Sequence, residues 1–493
     1  MARVLSLAFV SGVAVAASPG CGSSSSTFGT TAGIGDDAGD ATVAPPDFRD
    51  GGQLPGTCVD LEYNIVSCGA APPTTVSGTV FAPNGTLPLY NVVVYVPNAP
   101  LDPIPEGPSC DRCGNVSGSP VVSTLTDTSG KFVLKNVPVG ANIPLVIQVG
   151  KWRRQITLPA VEKCVDNPLT DANLTRLPKN KAEGHIPKIA VTTGVCDPLA
   201  CLLPKLGLDA AEYSAVGGAG RLNLFQGAGD TCNTDAGVTC TGKPAPAPTG
   251  TQPATNLWKD VDSLKKYDMV VMSCECDEHN EQKPDTAKTA LYDYLKLGGR
   301  VFASHYHYTW FQNSPVGALK NVAEWVGLPS PAQYGGAGFD GVQPPFVVDQ
   351  SFPKGQALAQ WLVNVDASKT LGEVPLNQPK SDVLGVNATL GTRWIHNKFV
   401  LPGGVTTPES TKYLSFNAPV GEPADKQCGK AVFGDMHIAE ATLGGFPGTT
   451  LPDNGFPGTC PKELTAAEKA LVFLFFDLAS CVQEEKKPPS PPK

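Results

Sequence analysis

The residues best suited to chemistry fall in three short segments: Ser273-Cys-Glu-Cys-Asp-Glu-His279, His305-Tyr-His-Tyr-Thr-Trp310 and Gly434-Asp-Met-His437. The last two hold three of the chain's six histidines. One chemistry they suggest is metal binding. His305 and His307, two apart on an extended segment, point to one side and reach one ion. His437, with Asp435 or Glu275, completes three protein ligands and leaves a fourth position for water, the pattern of a hydrolytic zinc site. A second chemistry is a sugar pocket, with Tyr306, Tyr308 and Trp310 stacked on a ring face and a His or Asp as general base. A third reading is a polar strand end whose histidines bond backbone carbonyls, with Cys274 and Cys276 in disulfides.

Each segment follows a short apolar run that reads as a strand: Tyr267 to Met272, Arg300 to Ser304, and Lys430 to Phe433. Lys188 to Gly194 and Arg221 to Phe225 read as two more, with a helical stretch through Leu206 between them. Ala287 to Leu297 predicts an amphipathic helix stopped by Gly298-Gly299, and Ala466 to Leu478 a closing helix. Alternating strands and helices predict a parallel, doubly wound α/β domain over residues 185–482. Ligands then sit off the carboxyl ends of its strands, where the three segments lie. Residues 230–256 read as a looped insertion pinned by Cys232 and Cys240, and residues 330–410 as irregular. The tail over 483–493, rich in Lys and Pro, is expected to be solvated and disordered.

Ahead of this domain, residues 53–165 carry short strands with turn signals: Val76 to Phe81, Val92 to Val96, a hairpin over Thr124 to Lys135 turning at Ser129-Gly130, Ile143 to Val149, and Lys151 to Leu158. This spacing predicts a small antiparallel β-sandwich. The chain is therefore expected to be multidomain, a sandwich followed by the α/β domain.

The chain has 15 cysteines among 493 residues, a net charge of -9 and 17% charged residues. No basic run is present, which excludes a nucleic-acid binder. Gly217-Gly-Ala-Gly220 lacks the strand before it and the Lys-Ser/Thr after it that a phosphate loop needs. No Gly-x-Ser-x-Gly elbow supports a serine triad. Arg3 followed by the apolar run Val4 to Ala17 reads as a signal peptide, too short to span a membrane as a helix. Setting Cys21 aside leaves 14 cysteines, up to seven disulfides in an exported protein. Three close pairs stand out: Cys110 with Cys113, Cys196 with Cys201, and Cys274 with Cys276. Structural zinc and a redox dithiol remain alternatives for them.

Ser18-Pro-Gly-Cys21 resembles the lipobox of bacterial lipoproteins, which implies lipidation of Cys21 after cleavage over residues 1–21. Residues 22–52 would then be a flexible Gly/Ser tether. Gly22, in place of Asp, implies the outer membrane, with contact to the membrane through the anchor. Cleavage elsewhere by an ordinary signal peptidase is the alternative. SGTVFAPNG, PLYNVVVYVP and TLTDTSGKFVLKNVPVG resemble the carboxypeptidase regulatory-like domain, a transthyretin-like sandwich without catalytic residues. An insertion from about Asn98 to Pro120 departs from that pattern. YDMVVMS, YDYLKLGGRVFASH and GKAVFGDMH resemble the ThuA-like branch of the glutamine-amidotransferase-like flavodoxin fold, which implies a pocket framed by His305 and His437. The amidotransferase nucleophile is absent, since His305-Tyr306 stands at that turn. Together these features lead to a lipid-anchored envelope protein that binds a glycan or an envelope protein without catalysis. The alternative is a metal-dependent or acid/base hydrolase.

Overall fold

The computed structural model describes residues 60–114, 116–194, 196–228, 247, 249–325, 345–376, 379–400, 406–438 and 460–492. Cys21, the tether and the Cys232/Cys240 insertion lie outside the described residues.

The first unit is built from β1 (Thr75–Thr79), β2 (Val93–Pro97), β3 (Pro120–Leu125), β4 (Lys131–Lys135), β5 (Gly140–Val149), β6 (Trp152–Val161) and β7 (Asp166–Leu169). Two sheets, β4-β1-β7 and β3-β2-β5-β6, form a sandwich. Its logic is period-two burial: in β4, Phe132 and Leu134 are buried while Lys131, Val133 and Lys135 face solvent. The pairing is antiparallel except between β1 and β7, which run parallel.

The expected hairpin over Thr124 to Lys135 does not form. Strand β3 pairs with β2, and β4 pairs with β1 in the opposite sheet. The turn between them crosses from sheet to sheet. Thr126 fixes the crossing, its hydroxyl donating to Leu89 O at 2.6 Å and accepting from Val92 N at 2.9 Å. Asp127 Oδ1 caps the turn by accepting from Ser129 N and Lys131 N. Turn signals report a change of direction and not the partner strand.

The second unit holds β8 (Ile189–Thr192), β9 (Tyr213–Ser214), β10 (Leu222–Gln226), β11 (Gln252–Pro253), β12 (Met269–Met272) and β13 (Arg300–Ser304). Further on come β14 (Ala323–Trp325), β15 (Phe346–Val348), β16 (Glu373–Val374), β17 (Val383–Val386), β18 (Thr392–Val400), β19 (Thr406–Ala418) and β20 (Gly429–Gly434). Its longer helices are α1 (Asp285–Lys296), α2 (Pro353–Asn364) and α3 (Ala466–Ala479). One mixed sheet runs β11-β10-β8-β12-β13-β20-β19-β18-β15-β16, with β9 beside β10. From β11 to β20 neighbours are parallel, and from β20 to β16 antiparallel.

Both faces of the parallel part are covered. Ala190, Val270, Met272, Val301 and Ala303 pack with Leu291, Tyr294 and Leu295 of α1. Val191, Leu224, Val271, Phe302 and Val432 face the other way, into a core shared with α3 and the sandwich. Across that junction Trp152 of β6 meets Phe476 of α3 edge-on at 5.9 Å, and Tyr90 stacks on Phe473 at 5.5 Å. Helix α3 starts with a capping box, Thr465 with Glu468, and Glu468 also pairs with buried Lys205 at 2.6 Å.

Two further expectations are corrected, the second in part. Residues 345–376 and 379–400 are regular, holding α2 and β15 to β18. The β18–β19 ladder carries three register shifts, which break the alternation by which a strand is read. The C-terminal segment is mostly exposed, as expected of a solvated tail, but it is pinned at Glu485 and Pro492. Glu485 is buried between Lys354 and Lys430, and Ser123 Oγ donates to Pro492 O. Polar composition does not reveal that one of its charges, Glu485, meets buried partners.

The cysteine pairing crosses the close spacings. Disulfides join Cys68 to Cys164, Cys110 to Cys428, Cys113 to Cys481, Cys196 to Cys276 and Cys201 to Cys460. The Asn98 to Pro120 insertion is thus bonded twice to the second unit. Among the described residues Cys274 is the free cysteine, and no helix is long and apolar enough to cross a membrane.

Candidate metal centre

Strands β12, β13 and β20 are adjacent and parallel, so their carboxyl ends open on one rim. Cys274 lies two residues past β12, His305 directly after β13, and His437 three past β20. Cys274 Sγ is 3.4 Å from His305 Nδ1 and 3.5 Å from His437 Nε2, and the two nitrogens are 2.9 Å apart. All three residues are buried, with exposures of 0%, 2% and 7% in that order.

Backbone features hold this triangle. A Cβ on Gly194, just past β8, would fall 2.1 Å from Cys274 O, so only glycine lets the two strand tips approach. His305 has φ +40°, in the left-handed region, where the chain breaks from β13 into the helical turn His305–Tyr308. The Cys196–Cys276 disulfide ties the loop after β12 to the loop after β8.

Behind the triangle lies a second layer of charge. Asp382 Oδ2 is 3.2 Å from His305 Nε2, in contact but short of an aligned hydrogen bond. Asp435 Oδ2 accepts from Asp382 N at 2.9 Å and from Val383 N at 3.3 Å, and lies 3.9 Å from Lys412 Nζ. Burial, reinforced by the Asp382 charge, holds the Asp435 carboxyl well above its usual range. Burial also moves Asp382 up to about 6 and Lys412 down to about 8.

Burial pushes the Cys274 thiol up to about 12 and both site histidines well below their usual range. Without a cation the cluster is a neutral thiol against two neutral imidazoles. A bound dication would displace the thiol proton. The donor set fits one. Standard zinc bond lengths at tetrahedral angles place sulfur and nitrogen ligands about 3.6 Å apart and two nitrogens about 3.3 Å apart. The observed triangle departs from this by a few tenths of an ångström at most edges. One thiolate and two imidazoles suit zinc among the common ions, and leave one of four positions for another ligand.

His307 is not part of this set. Its Nε2–H donates to Ser273 O at 2.8 Å, and its Nδ1 accepts from Trp310 Nε1 at 3.0 Å. Both nitrogens are used, and burial lowers its pKa to about 4. The expectation that His305 and His307 share an ion fails because the segment is a helical turn and not extended. Glu275 is taken as well: it pairs with Lys283 at 2.6 Å and accepts from Ala228 N at 2.8 Å. Burial works against its charge, but Lys283 holds it below the usual range. Asp435 serves the backbone of residues 382 and 383. The aromatic platform does not form either. Trp310 is buried edge-on against Trp258, and Tyr308, also buried, donates to Glu278. Tyr306, half-buried, lies 4.1 Å from the His305 ring.

Of the eight cysteines named as disulfide candidates, Cys110, Cys113, Cys196, Cys201 and Cys276 are bonded, and Cys232 and Cys240 lie outside the described residues. Cys274 is the exception, a ligand type rather than a disulfide partner. Its signal in the sequence was its place two residues past a strand whose neighbour ends in His305. Asp382 had no such signal, since it comes from a stretch read as irregular. A separate cleft of 580 Å³ between the sandwich, the Asn98 to Pro120 insertion and the tail is lined by Ile104, Arg112, Arg153 and Pro489, away from this cluster.

No protein-family model and no curated protein matches the chain. Among solved structures it is similar to two interface mutants of a type II cohesin–X-dockerin complex from Acetivibrio cellulolyticus. The C-terminal interface mutant shares 18% identity over 30% of this chain and 78% of that chain, with a TM-score of 0.15. The N-terminal interface mutant shares 18% over 28% and 85%, with a TM-score of 0.16. Likeness at this level carries no argument about function.

Proposed function

We propose that this chain is a lipid-anchored envelope protein whose second unit binds a soft divalent ion, zinc by preference, through Cys274, His305 and His437. The observation that carries the reading is the buried triangle of one sulfur and two nitrogens at 3.4, 3.5 and 2.9 Å. The second unit is read as flavodoxin-like. Its five central parallel strands, numbered along the chain, run in the order second, first, third, fourth, fifth, as that fold does. The ThuA-like and carboxypeptidase regulatory-like resemblances, and outer-membrane placement through Cys21, belong to the same proposal. The sandwich then acts as a brace sharing the core of the metal-binding unit.

A metal-dependent hydrolase is the second reading, favoured by a ligand set of three. An ion so held supplies Lewis acidity to whatever occupies its fourth position. The chain's own part is to orient the ligands and to keep Cys274 and His305 out of bulk water.

The test is elemental analysis of residues 22–493, produced by an oxidising export route and purified without chelator. Equimolar zinc is expected, and is lost in a Cys274→Ser/His437→Ala double variant that keeps its near-UV circular dichroism. A wild-type protein that is metal-free and takes up none on dialysis overturns the reading.

A further inference from the structure

We infer that Asp382 is the positioning residue of this centre, accepting the Nε2–H of His305 in the ion-bound state and so turning Nδ1 toward the ion. The inference rests on the metal reading above. The two ring nitrogens of His305 face different partners. Nδ1 looks into the triangle, 2.9 Å from His437 Nε2, while Nε2 is 3.2 Å from Asp382 Oδ2 on the opposite ring edge. An ion bound at Nδ1 is therefore out of reach of Asp382, which acts through His305 and not as a fourth ligand. A carboxylate behind a metal-bound imidazole fixes its tautomer and raises its basicity.

The placement of Asp382 explains why one loop suffices. Asp382 N and Val383 N both donate to Asp435 Oδ2, and Lys380 N donates to Asp435 O at 2.9 Å. Residues 380–383 thus hang on the end of β20, the same end that presents His437. One strand terminus sets His437 directly and His305 through Asp382. His307 has both of its nitrogens bound elsewhere, to Ser273 O and Trp310 Nε1.

The experiment uses the full exported chain loaded with zinc or cobalt(II). Chelator competition gives the dissociation constant, and nitrogen-15 NMR of labelled histidine reports which ring nitrogen of His305 is coordinated. The wild type is expected to bind through Nδ1 with Nε2 protonated. Asp382→Ala is expected to weaken binding about 10- to 100-fold while keeping the sulfur-to-cobalt charge-transfer band of Cys274. Asp382→Asn, which keeps an acceptor for the Nε2–H, should lose less. Coordination through Nε2, or unchanged affinity in a folded Asp382→Ala variant, overturns the inference while leaving the metal reading intact. Should Asp382→Ala fail to fold, the wild-type NMR assignment decides. A wild type that binds neither ion defeats the metal reading itself, and this inference with it.

Discussion

Asp477→Asn should cost the folded protein about 3 kcal/mol at neutral pH, and most of that cost should vanish in acid. Asp477 lies in the last turn of α3, where a carboxylate meets the negative end of the helix dipole. Two lysines explain its presence. Asp477 Oδ1 is 2.7 Å from Lys354 Nζ, and Oδ2 pairs with Lys430. Glu485 faces the same two lysines, 2.9 Å from Lys354 as a close ion pair without an aligned hydrogen bond. The four buried charges sum to zero. Removing one partner of a buried pair costs about 3–5 kcal/mol because a charge is left uncompensated. Glu485 remains between both lysines, which puts this variant at the low end.

The pH dependence follows from the same contacts. Burial alone would raise the Asp477 pKa, but the two ammonium groups overcome it and hold the carboxyl at about 2, against an ordinary 3.8. That difference of about 1.8 units is worth about 2 kcal/mol. Because the folded-state pKa is depressed, this stability is present above about pH 4 and is lost as pH falls toward 2. The assay is urea unfolding followed by tryptophan fluorescence, disulfides intact, at pH 7 and pH 2. The gap between wild type and variant should shrink from about 3 to about 1 kcal/mol. A gap below about 1 kcal/mol at pH 7, or one unchanged at pH 2, would refute the reasoning.

Two predictions concern other residues. His307→Ala should leave zinc content unchanged but lower stability, since Ser273 O and Trp310 Nε1 each lose a buried partner, at about 1–3 kcal/mol per group. Melting curves with elemental analysis check it, and loss of the ion would return His307 to the ligand set. Cys21→Ala should move the protein from the detergent-extracted membrane fraction to the soluble one and abolish labelled fatty-acid incorporation. Unchanged membrane retention would argue against the anchor.

How much was legible in advance differs between fold and site. Strands β8, β10, β12, β13 and β20 were readable because each is a short buried run with helical or turn signals beside it. Their adjacency follows from the expected parallel sheet, so the meeting of His305 and His437 was anticipated. The stretch from β15 to β18 was opaque because β15, β16 and β17 are only three, two and four residues long and bulges break the two-residue period of β18. Asp382 was hidden with it.

Residue type and local spacing determined the strands of the parallel part of the sheet, where the chain turns, and that a rim of His, Cys and acidic side chains forms at the strand ends. These depend on interactions within a few residues. Only the tertiary structure decided which side chains share the rim. His307 is two positions from His305, yet a single helical turn sends it to Ser273 and Trp310. Cys274 and Cys276 are also two apart, yet one stays a thiol in the site and the other bonds to Cys196. Asp382 reaches His305 from 77 positions away because a loop hangs on Asp435. Such pairings join residues remote in sequence, and their geometry is set by how strands and loops pack around them.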